Sequence, residues 1–242
     1  MQPDVPVITV DGPSGVGKGT LSRLLAHEFG WHMLDSGSLY RLAALAALRH
    51  GIVLDDSERI ATQTRALDIW FHTDVIGETR VFLEGQDVTD AIRSEACGNA
   101  ASQVAVIPAV RVALLQRQRD FQRPPGLVAD GRDMGTVVFP HAQVKIFLTA
   151  AAQERAFRRY KQLREKGIDA NLATLVKEIN ERDQRDAKRP VSPLKPASDA
   201  IVLDTSDLSI DDVKARVLMI VNKRIIIGGS GSNRIESNPT SR

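Results

Sequence analysis

The sequence has little cysteine, little net charge and no run of apolar residues long enough to span a bilayer. Its one cysteine, Cys97, excludes an internal disulfide framework, fits a reducing compartment and is expected to be a small core residue. A formal net charge of +2 is too small to predict binding to nucleic acid or to a membrane, so any strong positive field must be local. The apolar run LAALAAL at 42–48 is too short for a membrane span, and no targeting pattern is visible at the N-terminus. We therefore expect a cytoplasmic protein.

The order of apolar runs predicts an α/β fold. Short buried runs predict five strands, at 5–11, 31–35, 126–130, 144–149 and 200–205. Periodic apolar patterns predict helices at 20–29, 39–50, 108–122, 154–167, 171–190 and 210–220. Alternation of this kind indicates a doubly wound, five-stranded parallel sheet, in which ligands bind at the carboxyl ends of the strands.

The alternation is interrupted in the middle of the chain. Runs at 67–73 and 79–85 predict a hairpin, and the residues after them predict small helices. The last stretch of the chain is polar and rich in glycine and serine, which is typical of disorder. The predicted units are a core domain at 1–65 and 108–227, an inserted α+β domain at 66–107 and a disordered tail at 228–242.

The stretch GPSGVGKGT, at 12–20, lies between the first predicted strand and a helix and indicates a phosphate-binding loop. Its glycines let backbone N–H groups surround an anion, and Lys18 adds a cation for the outer phosphates. The usual pattern has a hydroxyl directly after the lysine, whereas here Gly19 intervenes before Thr20. We therefore expect Mg²⁺ to have no direct side-chain ligand and to be held largely through water, with Thr20 and Asp130 as candidate contacts. A glycine-rich turn without a ligand is the less favoured alternative.

Arginines are placed where a phosphotransferase needs positive charge. In the helix predicted at 171–190, an apolar stripe ends at Ile179. The same face continues with Arg182, Asp186 and Arg189 at helical spacing, which indicates a helix that leaves the core and enters a cleft. A charged helix end with an Arg182–Asp186 pair is the alternative.

Further charged residues follow two of the predicted strands. Arg132 and Asp133 come directly after one strand, and Ser36 and Arg41 come after another, so both sets are expected at the carboxyl edge of the sheet. Ser36 is alternatively only a helix cap. Asp35 and Asp130 are either magnesium-associated groups or hydrogen-bonded acids at strand ends.

The helix predicted at 154–167 carries Arg155, Arg158, Arg159 and Arg164 around its apolar face. A mobile lid at about 154–168, closing over donor phosphates, is the functional interpretation. On composition alone, a solvated basic helix is the simpler one.

Taken together, these motifs resemble those of the bacterial cytidylate kinases, in the nucleoside monophosphate kinase group of P-loop proteins. The motifs that carry the resemblance are GPSGVGKGT (12–20), LDSGSLYR (34–41), EGQDVTDAIR (84–93), NAASQVA (99–105), ADGRDMGTVVFP (129–140), VKIFL (144–148) and ERDQRD (181–186). The resemblance runs from about Val5 to about Val221 and implies a P-loop NTPase-type sheet with an inserted nucleotide-binding domain and a helical lid. It also implies transfer of the γ-phosphoryl group of ATP to CMP or dCMP, with Mg²⁺, by a cytoplasmic monomer that needs neither nucleic acid nor membrane.

The resemblance also implies roles for individual residues. The ATP-binding residues would be Gly12, Pro13, Ser14, Gly15, Val16, Gly17, Lys18, Gly19, Thr20, Arg158 and Arg159. The CMP-binding residues would be Ser36, Arg41, Ser102, Arg111, Arg132, Asp133, Arg182, Asp186 and Arg189. Among them, the base would be read by Ser102, Arg111 and Asp133, and the sugar region met by Arg182 and Asp186. The residues that stabilise charge during transfer would be Lys18, Arg132, Arg182 and Arg189.

Two other functions remain open at this point. One is a kinase for a different small acceptor, against which the Arg111–Asp133 combination argues. The other is a nucleotide-dependent switch or binding protein, which would show slow hydrolysis without dependence on an acceptor. The density of arginines argues against a switch, because a switch does not need to bind a second phosphate-containing ligand.

Overall fold

The fold is described from a computed structural model that covers residues 5–73, 79–165 and 167–228. Apart from Gly228, the tail predicted to be disordered lies outside the described residues. The elements in chain order are β1 (Val7–Asp11), α1 (Lys18–Phe29), β2 (His32–Asp35), α2 (Ser36–Arg49), α3 (Ser57–Arg65), β3 (Ile69–Thr73), β4 (Thr79–Leu83), β5 (Gln86–Asp87), α4 (Glu95–Val104), α5 (Pro108–Arg119), β6 (Leu127–Gly131), β7 (Val144–Thr149), α6 (Ala152–Glu165), α7 (Leu172–Ala187), β8 (Ile201–Asp204) and α8 (Ile210–Gly228).

The main sheet has five parallel strands in the order β2-β6-β1-β7-β8. This confirms the five predicted strands and the doubly wound fold. In the register of the sheet, Asp11 lies beside Gly131 and Asp35 beside Asp130. The predicted functional segments therefore leave the sheet at one common edge, as parallel topology requires.

Apolar layers cover both faces of this sheet. Every residue of β1 and β6 is buried, which is typical of central parallel strands. On one face, Ile8 and Val10 pack with Leu21 of α1 and Val217 of α8. The other face is covered by α2, α4 and α5, whose buried residues form a second cluster with Leu127.

The segment predicted as an insertion contains a separate three-stranded antiparallel sheet in the order β3-β4-β5. The predicted hairpin is therefore confirmed, and the small helices after it are a 3₁₀ turn at Ala91–Arg93 and α4. Val81 and Leu83 of this sheet belong to the same apolar cluster as Leu42 of α2. Their packing ties the small sheet to the sheet-covering helices.

Helices α4 and α5 follow one another closely. Pro108 opens α5 at its first turn, as predicted, because a proline at that position loses no helical hydrogen bond. Val104 and Leu114 are fully buried. No single helix in the described part of the chain is long and apolar enough to cross a membrane; α4 and α5 meet that criterion only as a pair, bent by 104°.

Several predicted boundaries were wrong, and one helix was missed. α1 begins at Lys18, inside the phosphate loop, and α2 begins at Ser36, because Asp35 caps it by accepting a hydrogen bond from the Ser38 N–H. α8 continues to Gly228 instead of ending at residue 220, so the tail cannot begin before residue 229. The missed helix, α3, is mostly polar and buries little beyond Ile60 and Ala61.

One buried carboxylate holds a loop against the end of the central strand. Asp11, the last residue of β1, accepts hydrogen bonds of 2.8 Å from the backbone N–H groups of Met134 and Gly135. Burial raises the pKa of Asp11 to about 6, although these two hydrogen bonds act to lower it. The loop that starts at Arg132 is thereby fixed beside the phosphate loop.

Replacing Leu114 by alanine tests the core between α5 and the sheet. Leu114 is fully buried, so Leu114→Ala should lower the free energy of unfolding by about 2–5 kcal/mol. Val112 lies on the same helix but is 73% exposed, so Val112→Ala should change the free energy of unfolding by less than about 0.5 kcal/mol. Urea unfolding measures both, and equal losses in the two variants would contradict this packing.

The raised pKa of Asp11 predicts a pH-dependent contribution to stability. Because the folded-state pKa, about 6, lies above the ordinary value of 3.8, this contribution is fully present below pH 3.8 and is lost as the pH rises through 6. Asp11→Asn removes the titration. The unfolding free energy of the wild type minus that of Asp11→Asn should therefore fall by roughly 2 kcal/mol between pH 4 and pH 7. Chemical denaturation over this range measures the difference, and a difference that is independent of pH would contradict the account.

Candidate active site

Seven of the nine predicted CMP-binding residues line one pocket at the carboxyl edge of the main sheet, whereas Arg41, Arg111 and the predicted ATP-binding residues are not among its lining. α2, α4, the loop after β6 and α7 each contribute part of its wall. The predicted residues that line it are Ser36, Ser102, Arg132, Asp133, Arg182, Asp186 and Arg189. A wider surface groove near His50 and Thr62 lies away from the strand ends and contains none of them.

The phosphate loop connects β1 to α1 at the side of this pocket. Lys18 opens α1 and is only 6% exposed. Its ammonium group donates a 2.9 Å hydrogen bond to the Pro13 carbonyl and lies 4.0 Å from the Asp130 carboxylate. Lys18 is therefore held across the loop, at the end of a helix whose N–H groups favour an anion.

The electrostatics around Lys18 favour binding of negative charge. Burial is the main cause that lowers the pKa of Lys18, and the Arg132 guanidinium lowers it further while Asp130 opposes both. Burial also raises the pKa of Asp130 against the attraction of Lys18. A phosphate group placed here would relieve the repulsion between Lys18 and Arg132.

Arg111 and Asp133 form a buried ion pair in the same region. Their side chains are 8% and 3% exposed, and a second Arg111 nitrogen donates a 3.2 Å hydrogen bond to the Ala105 carbonyl. The guanidinium also lies 5.6 Å from the centre of the Tyr40 ring. The pair presents a donor and an acceptor side by side in a site from which water is largely excluded.

Three arginines surround one carboxylate at the end of α7. Arg132 Nε donates a 3.0 Å hydrogen bond to Asp186, and although burial acts to raise the pKa of Asp186, Arg132, Arg189 and Arg182 lower it. Burial lowers the pKa of Arg182 to about 10, with a further contribution from Arg132. Arg182 Nε and Arg189 Nη2 are buried and have no hydrogen-bond partner among the described residues. Donors left over in this way fit an anionic ligand.

Ser36 is held by a residue that the sequence analysis missed. Its hydroxyl donates a 2.8 Å hydrogen bond to Gln118, which is 1% exposed on α5. Ser36 is therefore not the cap of α2; Asp35 is the cap, since its carboxylate accepts from both the N–H and the hydroxyl of Ser38. This geometry supports the interpretation of Asp35 as a hydrogen-bonded acid at a strand end.

Arg41 and Ser102 connect the pocket to the inserted segment. Arg41 donates hydrogen bonds of 2.5 and 3.1 Å to the carbonyls of Ile92 and Ser94, just before α4. Ser102 lies on α4, is 4% exposed, and accepts a 3.3 Å hydrogen bond from Arg185 of α7. Both residues thus lie where α4 meets the helices of the core.

The two predicted lid arginines contact protein groups on different sides of α6. Arg158 donates to the carbonyls of Thr205 and Ser206, after β8. Arg159 pairs with Glu95 at the start of α4, with 2.7 Å between Nε and Oε1. The structure therefore places Arg158 beside the end of the sheet and Arg159 against the inserted segment.

Acidic, histidine and cysteine side chains do not form a metal cage within the part of the chain that the structure describes. No group of three or more histidine, cysteine, aspartate or glutamate side chains converges on a common point among the described residues. The two candidate magnesium contacts differ, because Thr20 is exposed and Asp130 is 7% exposed. A side chain at Gly19 would lie 3.3 Å from Asp130 Oδ2, so this carboxylate faces the phosphate loop.

Comparison with known proteins agrees with these features. The family model described as cytidylate kinase matches residues 8–223. A cytidylate kinase of Shewanella denitrificans is 57% identical over 226 residues, covering 93% of this chain and all of that protein. One of Stutzerimonas stutzeri is 58% identical over 225 residues, covering 93% and 98% of the two chains. One of Aeromonas hydrophila is 56% identical over 220 residues, covering 91% and 95%.

These matches extend over nearly the whole chain, and the family match includes the phosphate loop and the elements that line the adjacent pocket, namely α2, α4, the loop after β6 and α7. They confirm the resemblance that the sequence motifs indicate. The chain belongs to the cytidylate kinase family.

Proposed function

We propose that this member of the family transfers the γ-phosphoryl group of ATP in line to the phosphate of CMP or dCMP, giving ADP and CDP or dCDP. The observation that carries the proposal is the buried Arg111–Asp133 pair, whose aspartate lines a pocket together with an arginine cluster, beside the phosphate loop. The pair supplies recognition of a base, and the cluster and loop supply places for two sets of phosphates. A nucleotide switch would need only the last of these.

The donor would be held by the loop at 12–20 and by Lys18. The backbone N–H groups of the loop surround the β-phosphate, and Lys18 neutralises charge on the outer phosphates. Thr205, just after β8, donates a 3.4 Å hydrogen bond to the Val16 carbonyl of the loop, and Arg158 donates a hydrogen bond to the Thr205 carbonyl. These contacts support a role for Arg158 in a lid formed by α6, over about 154–168, in which Arg159 would take part from the side of the inserted segment.

The acceptor phosphate would be held by Arg41, Arg132 and Arg189, with Ser36 beside them. Arg189 Nη2, which has no hydrogen-bond partner among the described residues, supports this assignment. The second pKa of a phosphate monoester is about 6, so the acceptor is already mostly dianionic at neutral pH and needs no general base. Lys18, Arg132, Arg182 and Arg189 would stabilise the charge that develops between donor and acceptor.

The base and sugar would be recognised by groups from the same pocket. Cytosine offers acceptors at O2 and N3 and a donor at N4, to which Arg111 and Asp133 are complementary. Ser102 would add a contact to the base, and Asp186 with Arg182 would meet the sugar region. The inserted segment, 66–107, contributes Ser102 and would close over the nucleotide.

The residues present fit a magnesium ion that is held mainly by nucleotide phosphates and water. Asp130, with Thr20 on the neighbouring helix, would hold such an ion through water. When bound, Mg²⁺ supplies charge neutralisation between the β- and γ-phosphates. We further propose a cytoplasmic monomer that acts on free nucleotides, in accordance with the net charge of +2.

Acceptor selectivity tests the proposed function directly. ADP release should be measured with ATP and Mg²⁺ in the presence of CMP, dCMP, UMP or AMP and without acceptor. We expect kcat/KM for CMP to exceed that for UMP by at least ~100-fold, because uracil places a donor against Arg111 and an acceptor against Asp133. Equal values for CMP and UMP would refute base recognition by this pair. Slow release that ignores every acceptor would instead support a nucleotide switch.

Removing Lys18 separates catalysis from stability. Lys18→Ala should lower kcat by at least ~100-fold, because a charge aimed at the transferred phosphoryl group is lost. The melting temperature should change far less than kcat, because loss of the contacts with Pro13 and Asp130 is offset by no longer burying an ammonium group. Lys177→Ala is the control, since that side chain is 78% exposed on α7, and it should match the wild type. Near-normal turnover in Lys18→Ala would exclude the assigned role.

A further inference from the structure

Arg155 of α6 is a buried arginine that the proposed mechanism does not use. It is 3% exposed, whereas the side chains of Arg158 and Arg159 on the same helix are 26% and 29% exposed. Burying a guanidinium requires that its donors be satisfied by the protein. The groups that satisfy them indicate what Arg155 does.

The guanidinium of Arg155 joins three segments of the chain. Nε donates a 3.0 Å hydrogen bond to the Ala150 carbonyl, at the end of β7, and Nη1 donates one of 3.0 Å to the Ser14 carbonyl. Both terminal nitrogens also contact the carboxylate of Asp183 on α7, with 3.1 Å between Nη1 and Oδ1. Four of the five N–H donors are therefore used, in the fork geometry that a guanidinium prefers.

The contact with Ser14 fixes a peptide group of the phosphate loop. The only cis peptide among the described residues is Pro124–Pro125, so the peptide between Ser14 and Gly15 is trans. In a trans peptide the N–H points opposite the carbonyl, so holding the Ser14 carbonyl towards Arg155 directs the Gly15 N–H away from it. The backbone of Gly15, with φ +77°, is also packed on α6, since a side chain there would lie 3.2 Å from Arg155 Cβ.

The contact with Asp183 connects Arg155 to α7, the helix that carries Arg182 and Asp186. Asp183 follows Arg182 in sequence and lies one helical turn before Asp186. A single buried guanidinium thus links the backbone that would bind donor phosphates to the helix that would bind the acceptor. Hydrogen bonds to Ser14 and Asp183 fix the position of the guanidinium relative to the phosphate loop and to α7.

We propose that Arg155 is a positioning residue, which orients the Ser14–Gly15 peptide for ATP while Asp183 holds its guanidinium in place. The proposal rests on the proposed function, because it assigns ATP to the loop. Arg155 would act through the loop and not by touching ATP, since four of its five donors already have protein partners and the residue is 3% exposed. Lysine cannot replace it, because an ammonium group is a point charge and cannot hold three acceptors in the geometry of the fork.

The test compares Arg155→Lys and Asp183→Asn with Arg164→Lys. Arg164 lies on the same helix, but its ion pair with Asp169 is exposed, with side chains 60% and 99% exposed, so it is a matched control. The dissociation constant of ATP should be measured by calorimetry without acceptor, and kcat and both KM values by ADP release with CMP. Circular dichroism identifies a temperature at which each variant is folded.

We expect the Kd and KM for ATP to rise by ~10-fold and kcat to fall by ~10-fold in both variants, because a misplaced donor phosphate loses alignment for transfer. KM for CMP should change by less than about 2-fold, and Arg164→Lys should match the wild type in every parameter. Asp183→Asn retains the arginine and its carbonyl contacts, so it carries the test if Arg155→Lys does not fold.

A purely structural role of Arg155 gives a different result. In that case the melting temperature falls, while the Kd for ATP and all kinetic constants of the folded variants remain those of the wild type, and the proposal is overturned. Equal losses of affinity for ATP and CMP overturn it as well. Failure of the proposed function is recognised separately, because it would show as a wild-type protein that binds ATP but does not phosphorylate CMP.

Discussion

The structure depends on the burial of several positive charges at one edge of a parallel sheet. Lys18, Arg132, Arg182 and Arg189 repel one another, and the pKa values of Lys18 and Arg182 are lowered as a result of burial and of this repulsion. Carboxylates at strand and helix ends make the arrangement tolerable: Asp130 opposes Lys18, and Asp186 lies among the arginines. The balance remains positive, and within the described part of the chain two guanidinium nitrogens lack hydrogen-bond partners. A protein that holds charge in this way is most stable when anions share the site.

Topology determines which of these groups meet. Because β1, β2 and β6 are neighbouring parallel strands that end at the same level, residues distant in sequence reach one edge without any loop having to cross the molecule. α7 then crosses above that edge and is fixed there from two sides, by Arg132 through Asp186 and by Arg155 through Asp183. The elements proposed to hold the donor, the acceptor and the stabilising charge are thus separate but bonded to one another.

Much of the fold and part of the site are predictable from sequence, for identifiable reasons. The five strands are short, mostly apolar runs, and the phosphate loop and the charged end of α7 have characteristic spacing. α3 was missed because its sequence is almost wholly polar, and α8 was ended too early because its second half mixes charged and apolar residues. The positions of Asp11 and Gln118 depend on which strand lies beside which and on how α5 faces α2, neither of which a linear pattern contains. The sequence does not distinguish Arg155 from the other arginines of α6, because its burial depends on how α6 packs against the phosphate loop. The specific roles of the site residues remain predictions.

The mutual pairing of Arg111 and Asp133 has a consequence for how a nucleotide is admitted. Each group already has a charged partner, so an incoming base gains only the difference between its own bonds and the pair that it displaces. Cytosine can replace both halves of the lost contact at once, whereas a base with the opposite arrangement of donors can replace neither, and the two side chains close again on each other. The Arg111–Asp133 pair would then compete with the base for the same donors and acceptors. A wrong base would be rejected mainly by a faster dissociation rate and less by a slower association rate.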